Sequence, residues 1–194
     1  MDAKQFFFER YEGFQEYPEQ LVAGLSETQV RQSPHPRVNP IAWALWHLAR
    51  CEDVCVNRVL TDGVQVLDEG DRVARLRVSN RGTGTGMTRA KVSALAEEID
   101  LAELDTYRAA VTSRTRATVR SIPSAELAST LSPARLRQVF MDEGAGGDVA
   151  AKIVEAYTGQ TKGWLLGHLV LTHHYYHVGQ AFAVRVMHGA ANPW

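Results

Sequence analysis

The sequence is poor in cysteine, nearly free of net charge, and contains no long uninterrupted apolar run. Each shortage excludes something. Two cysteines, Cys51 and Cys55, four residues apart on one expected helix, cannot supply a disulfide framework, so a reducing, cytoplasmic setting is expected. Lysine and arginine total 21 against 22 aspartates and glutamates, a net charge of −1, which leaves no electrostatic basis for nucleic-acid binding. The most apolar stretch, Trp164 to Met187, carries four histidines (His168, His173, His174 and His177), and polar groups are costly in lipid. It reads as a buried helix and not as a membrane span. The run Phe6-Phe7-Phe8 is only three residues long with charges on both sides, too short for the apolar core of a signal peptide.

What is present fits a globular helical protein. Hydrophobic residues make up 45% of 194, enough to bury a core, and a single domain over residues 1–194 is expected. Phe7, Tyr11, Phe14, Leu21 and Leu25 recur at helical spacing, with a kink or restart expected at Pro18. Asn39-Pro40 reads as a helix start, asparagine as the cap and proline in the first turn, opening a second helix to about Leu60. Further helices are expected from Thr88 to Ile99, from Leu101 to Ser121, from Ser132 through Phe140, from Val149 to Tyr157, and from Lys162 to His188, where Gly189 terminates. Segment 63–88 is the ambiguous part: Val73 to Val78 alternates like a strand, while Arg81 to Gly86 reads as a flexible loop, so it is expected to form an insertion or flap. Four main helices make a helix bundle the default architecture.

Three histidines carry the chemistry. His173 and His177 lie four apart on the last helix, so both rings leave one face, about 5–6 Å apart at Cβ. His47 sits on the second helix among apolar neighbours, where a polar ring needs a partner, and coordination by neutral imidazole supplies one. The zinc-protease pattern fails, because the residue after His173 is His174 where a glutamate general base would stand. His174 points about 100° away from His173 around the helix, toward an outer-shell or surface role. Cys51, one turn beyond His47, is either a fourth ligand that closes the shell or a small core residue. Glu52, five residues beyond His47, is a catalytic acid/base candidate or a residue orienting a ligand ring. Gln180 and Tyr176 are placed to touch substrate or to pack between helices. Gly82, Gly84 and Gly86 match neither the dinucleotide fingerprint nor the phosphate loop. Arg72, Arg75, Arg77, Arg81 and Arg89 form either a solvated flap or a clamp for carboxylates.

The string from Asn39 to Asp53, with His47 followed by Glu52, resembles the second-helix signature of the DinB/YfiT-like superfamily, and Leu171 to Gln180, with His173, His177 and the Gly179-Gln180 pair, resembles its late-helix signature. The two motifs occur in order and span most of the chain. The resemblance implies an all-α, up-up-down-down four-helix bundle, here with an extra loop or short helical insertion between the second and third main helices. It implies one divalent ion held by His47, His173 and His177, with zinc or nickel first and iron next. This chain departs from the pattern at His174, where an acidic residue is usual, at Val178, where a basic one is usual, and in the length of 63–88.

Members of the superfamily include thiol-S-transferases using bacillithiol or mycothiol, a maleylpyruvate isomerase and hydrolases. The expectation is therefore a metal-dependent thiol transferase or hydrolase acting on a small molecule, with a water or thiolate activated at the open coordination position as nucleophile. A low-molecular-weight thiol is one candidate partner, and a homodimer is expected because related bundles pair through a helix face. The alternative is a non-catalytic metal-binding bundle, which a closed ligand shell would favour.

Overall fold

The computed structural model describes residues 2–191. Among these the protein is all-α; the single β-type contact is an isolated antiparallel bridge between Thr130 and Thr161. The helices are α1 (Ala3–Glu12), α2 (Tyr17–Val22), α3 (Glu27–Arg31), α4 (Ile41–Asp53), α5 (Arg72–Leu76), α6 (Arg89–Glu98), α7 (Leu101–Ser121), α8 (Pro133–Arg137), α9 (Ala150–Tyr157), α10 (Lys162–Leu165) and α11 (His173–Met187). Three wide π-helical turns extend or join these: α4 runs on through Val54–Leu60, α8 runs on through Gln138–Asp142, and Leu166–Thr172 joins α10 to α11 into one long rod.

Local chemistry sets most of the starts. Asp2, Ser26, Thr88, Asp100, Ser132 and Thr161 each accept a hydrogen bond from a first-turn amide, occupying a donor the helix cannot use internally. The expected cap at Asn39 is not formed. Pro40 holds the capping position of α4, and the Asn39 side chain instead accepts from Arg89 at 2.6 Å. Pro18 falls in the first turn of α2, so the first helix is broken into two pieces and not merely kinked.

Every residue of α4 is buried. A helix covered all round lies at the centre of a fold, and α4 packs on α7 along one side and on α11 along another. Its apolar residues join α7 and α11 in one core cluster, while α1, α8, α9 and the three π-turns enclose a second. The same burial forces partners on the polar residues of α4, namely His47, Arg50, Glu52 and Asp53. Those obligations place the site.

Segment 63–88 is not a strand, despite the alternation of Val73 to Val78. Arg72–Leu76 is a short helix, ended by Arg77 in the left-handed region at φ 56°. With no neighbouring strand to pair with, one helical turn buries Leu76 while Arg72 and Arg75 reach Glu103 on α7 at 3.4 and 3.1 Å. The arginines of this segment are engaged: Arg75 also meets Asp71, Arg77 meets Asp100, Arg81 meets Asp68, and Arg89 binds the Val38 carbonyl and Asn39. They do not line up as a clamp. The start of the glycine run is likewise internal, with Gly82 and Gly84 buried. Gly84, at φ +83°, lies against Trp46, and an added Cβ would overlap that ring. The amides of Gly82, Thr83, Thr85 and Met87 bond to Asn80, Ala145, the Thr83 hydroxyl and Gly84, which takes up four of the donors a phosphate would use.

Candidate metal centre

α4 and α11 bring His47, His173 and His177 together, with one potential ligand atom from each ring lying within 4.8 Å of the others. The ring centroids are 5.0 Å apart for His47–His173, 4.8 Å for His47–His177 and 4.4 Å for His173–His177. The π-turn Leu166–Thr172 ends immediately before His173. A wide turn re-phases a helix, so the rod can bury Leu166, Leu169 and Val170 against the second core and still turn His173 and His177 toward α4.

The far side of His47 is fixed. Its Nδ1 lies 2.5 Å from the Thr83 carbonyl, which can only accept, so Nδ1 carries the proton and Nε2 presents a lone pair. That Nε2 faces the Nε2 of His173 at 3.2 Å. Nitrogen ligands on a tetrahedral zinc, with bonds of about 2.0–2.1 Å, stand roughly 3.3–3.4 Å apart. Without an ion, His173 can bond His47 only by donating from Nε2, which leaves its buried Nδ1 without a partner. A cation between the two lone pairs removes that requirement. Three neutral imidazoles are a suitable donor set for a borderline divalent ion, so the residues present fit the metal.

The surroundings keep the rings neutral and oriented. Trp43 stacks on His47 with centroids 4.5 Å apart at 12° and stands edge-on to His177. Burial pushes the pKa of His47 down to about 3, against the opposing bond to Thr83, with His177 and His174 lowering it further. Burial, with the charges of His47 and His177, brings His173 to about 2. His177 is also lowered by burial, with Gln180 opposing. These groups are neutral when folded and take up protons near pH 6.5 when unfolded, so their stabilising contribution is complete above about pH 6.5 and is lost as pH falls toward 3. The denaturation midpoint of metal-free protein is expected to fall across that window, and to fall less steeply in His173→Asn. Equal slopes for the two proteins would show that His173 does not carry the effect.

His47 is 2% exposed, while His173 and His177 are half-buried. Tyr176, at 60% exposure, stands edge-on to His177, and Gln180 is exposed one turn further on. The approach to the centre is thus along α11. Tyr176 is a rim residue and not a core aromatic. Cys51 Sγ lies 3.8 and 3.9 Å from the two nitrogens of His47, nearly equidistant and so not directed at the Nε2 side. Burial also raises the Cys51 thiol to about 12, away from the thiolate a metal needs. His168 stacks on Trp164, and His188 bonds the Gln32 carbonyl, both outside the cluster.

Glu52 is buried on a different side of α4. Tyr11 donates to its Oε1 at 2.5 Å, and His174 Nε2 lies 3.1 Å from its Oε2. Burial alone would raise this carboxyl, but the hydrogen bond and charge of His174, helped by Tyr11, hold it below its ordinary value. His174, expected in an outer-shell or surface position, is buried here.

Sequence reasoning missed Trp43, Thr83 and Arg50. Trp43 stands four residues before His47 and was detectable from helical spacing. Arg50, in the middle of an apolar helix, was a signal for a buried ion pair. Thr83 acts through its backbone carbonyl, for which a side-chain pattern carries no sign.

A helical bundle in which two helices converge three imidazoles on one point defines a class of possible metal-binding proteins. The sequence profile of the DinB superfamily matches residues 10–181, and the chain belongs to that superfamily. No curated protein matches it. Among solved structures, a conserved protein from Enterococcus faecalis shares the fold, with a TM-score of 0.72 at 17% identity over 96% of this chain and 97% of that one.

Proposed function

We propose that the protein is a divalent-metal-dependent enzyme that transfers a thiol to, or hydrolyses, a small molecule, with His47, His173 and His177 as the metal ligands. The observation that supports this reading is the cluster of three histidines that could hold an ion, with His173 and His177 only half-buried and Cys51 turned aside. Three protein ligands and a free position distinguish catalytic from structural zinc sites. A divalent ion held there would supply Lewis acidity to a water or thiol reaching that position.

The remaining work belongs to the chain itself. Thr83 holds His47 in the tautomer whose Nε2 is free, Trp43 fixes the ring plane, and the low proton affinity of the buried rings keeps all three available as neutral donors. Tyr176 and Gln180 form the rim a substrate would meet. The two free, buried cysteines fit a reducing cytoplasmic compartment. We assign the whole chain to one domain acting as a homodimer.

Protein purified without a nickel resin and loaded with zinc is expected to turn over either a low-molecular-weight thiol with an electrophile, bacillithiol and mycothiol among those tried, or simple esters. His177→Ala is expected to lower kcat/KM by at least about a hundredfold, the loss typical of removing one strong electrostatic contributor. Equal rates for the variant and parent would remove the triad from the reaction. Metal binding without turnover of either substrate class would favour a non-catalytic bundle.

A further inference from the structure

Spacing from His47 makes Glu52 a catalytic candidate, but its surroundings assign it different work. The cavity it lines with His174 measures about 30 Å³, room for water and not for a substrate. Both of its oxygens are already engaged, one by the Tyr11 hydroxyl and one by His174. His174 is in turn held at three points. Its Nε2 meets Glu52 of α4, its Nδ1 donates to the Leu169 carbonyl at 3.1 Å inside the π-turn, and its ring stacks on Phe14, centroids 5.0 Å apart at 29°.

These contacts tie together the elements whose relative placement decides whether the three imidazoles meet. Glu52 is five residues from His47 on α4, and His174 is adjacent to His173 on α11. The Leu169 carbonyl lies in the wide turn that phases α11. We infer that Glu52, His174 and Tyr11 form a buried clamp that sets the separation and rotation of α4 against α11, so that Glu52 is a positioning residue for the metal centre and not an acid or base that touches substrate. The inference rests on the metal reading of the triad, and its test keeps the two apart.

An isosteric amide can satisfy every bond in the clamp. In Glu52→Gln the new side chain would accept from Tyr11 with its oxygen and donate to His174 Nε2 with its nitrogen, while His174 Nδ1 still donates to Leu169. Glu52→Gln is therefore expected to hold zinc within about threefold of the parent, measured by chelator competition. Glu52→Ala and His174→Phe, which abolish the Glu52–His174 contact, are expected to weaken zinc binding by roughly ten- to a hundredfold, as loss of outer-sphere partners does. Tyr11→Phe removes one bond only and is expected to shift affinity in the same direction by less; it keeps the test open if the larger deletions do not fold.

Imidazole ¹⁵N spectra of the metal-free proteins supply a readout independent of zinc. The His47 and His173 signals are expected to shift in Glu52→Ala and to remain in place in Glu52→Gln. Failure of the parent to bind zinc would sink the functional reading, while the spectra would still decide the clamp. Parent-like signals and affinity in Glu52→Ala would overturn the clamp. So would a Glu52→Gln variant as impaired as Glu52→Ala, because charge and not geometry would then be the requirement.

Discussion

His47→Ala is expected to abolish the stabilisation that zinc gives the parent. A ligand that binds only the folded state adds about 4.1 kcal/mol at a thousand times its dissociation constant. For a domain of this size each kcal/mol moves the melting temperature by about 2–4 °C, so the parent should gain roughly 10 °C on saturation. His47 is the ligand whose loss is hardest to repair. It is the only one of the three contributed by α4, its ring is pinned between Trp43 and the Thr83 carbonyl, and Cys51, its neighbour, is a buried high-pKa thiol not aimed at the site. His173 and His177 alone form a two-ligand site on one helix, open to competing water. The measurement is a thermal melt with and without zinc, alongside metal content after dialysis. A variant that still gains the parental shift would show that the ion binds elsewhere. The alanine also orphans the Thr83 carbonyl, so the metal-free variant is expected to melt somewhat lower than the metal-free parent.

The three-histidine cluster could be read from the sequence because helix geometry is local. A four-residue spacing fixes the relation of His173 to His177 wherever the helix packs, and an imidazole in the apolar stretch around His47 signals a polar obligation. Helix starts with short polar caps, at Thr88 and Ser132 for example, were legible for the same reason. The failures lie where tertiary contacts override local pattern. Val73 to Val78 alternates as a strand would, yet it lies in a segment that buries Leu76 through a helical turn packed against α7. Asn39 has the right chemistry for a cap but is drawn off by Arg89, fifty residues away in sequence. The three π-turns add a residue to a helical turn without any composition that marks them, and one of them orients two of the three histidines. Glu52 illustrates the limit most sharply. Its spacing from His47 leaves it either an acid/base or a residue orienting a ligand ring, and the side-chain partners from α1 and α11 that surround it are invisible in spacing.

Arg50→Met is expected to be among the most destabilising single changes in the protein, at about 3–5 kcal/mol, because it removes one partner of a fully buried ion pair and leaves the other charged. Arg50 is completely enclosed. Its guanidinium reaches Asp53 at 3.0 Å, the Tyr107 hydroxyl at 2.8 Å, Gln65 at 2.6 Å and the Arg81 carbonyl at 2.5 Å, with Gly82 further off at 3.4 Å. Asp53 in turn accepts from Tyr107, Asn57 and the amides of Val66 and Leu67. The pair therefore anchors both ends of segment 63–88 to α4, and the carbonyls Arg50 grips immediately precede Thr83, the residue that orients His47. Arg50→Lys is expected to recover less than half the loss, since one ammonium cannot span groups that a planar fork reaches in several directions. Adding Asp53→Asn to Arg50→Met removes the stranded charge while keeping a side chain that can still meet Tyr107, so the double variant should be more stable than the sum of the two single losses by at least about 1 kcal/mol. Strict additivity in denaturant melts would mean the two residues act separately. Because the loss propagates through residues 81–83 to the ring of His47, Arg50→Met should also bind zinc more weakly than the parent under conditions where it is still folded; unchanged affinity would confine the role of Arg50 to stability and leave the Ala145 and Thr85 contacts of Thr83 to support its carbonyl.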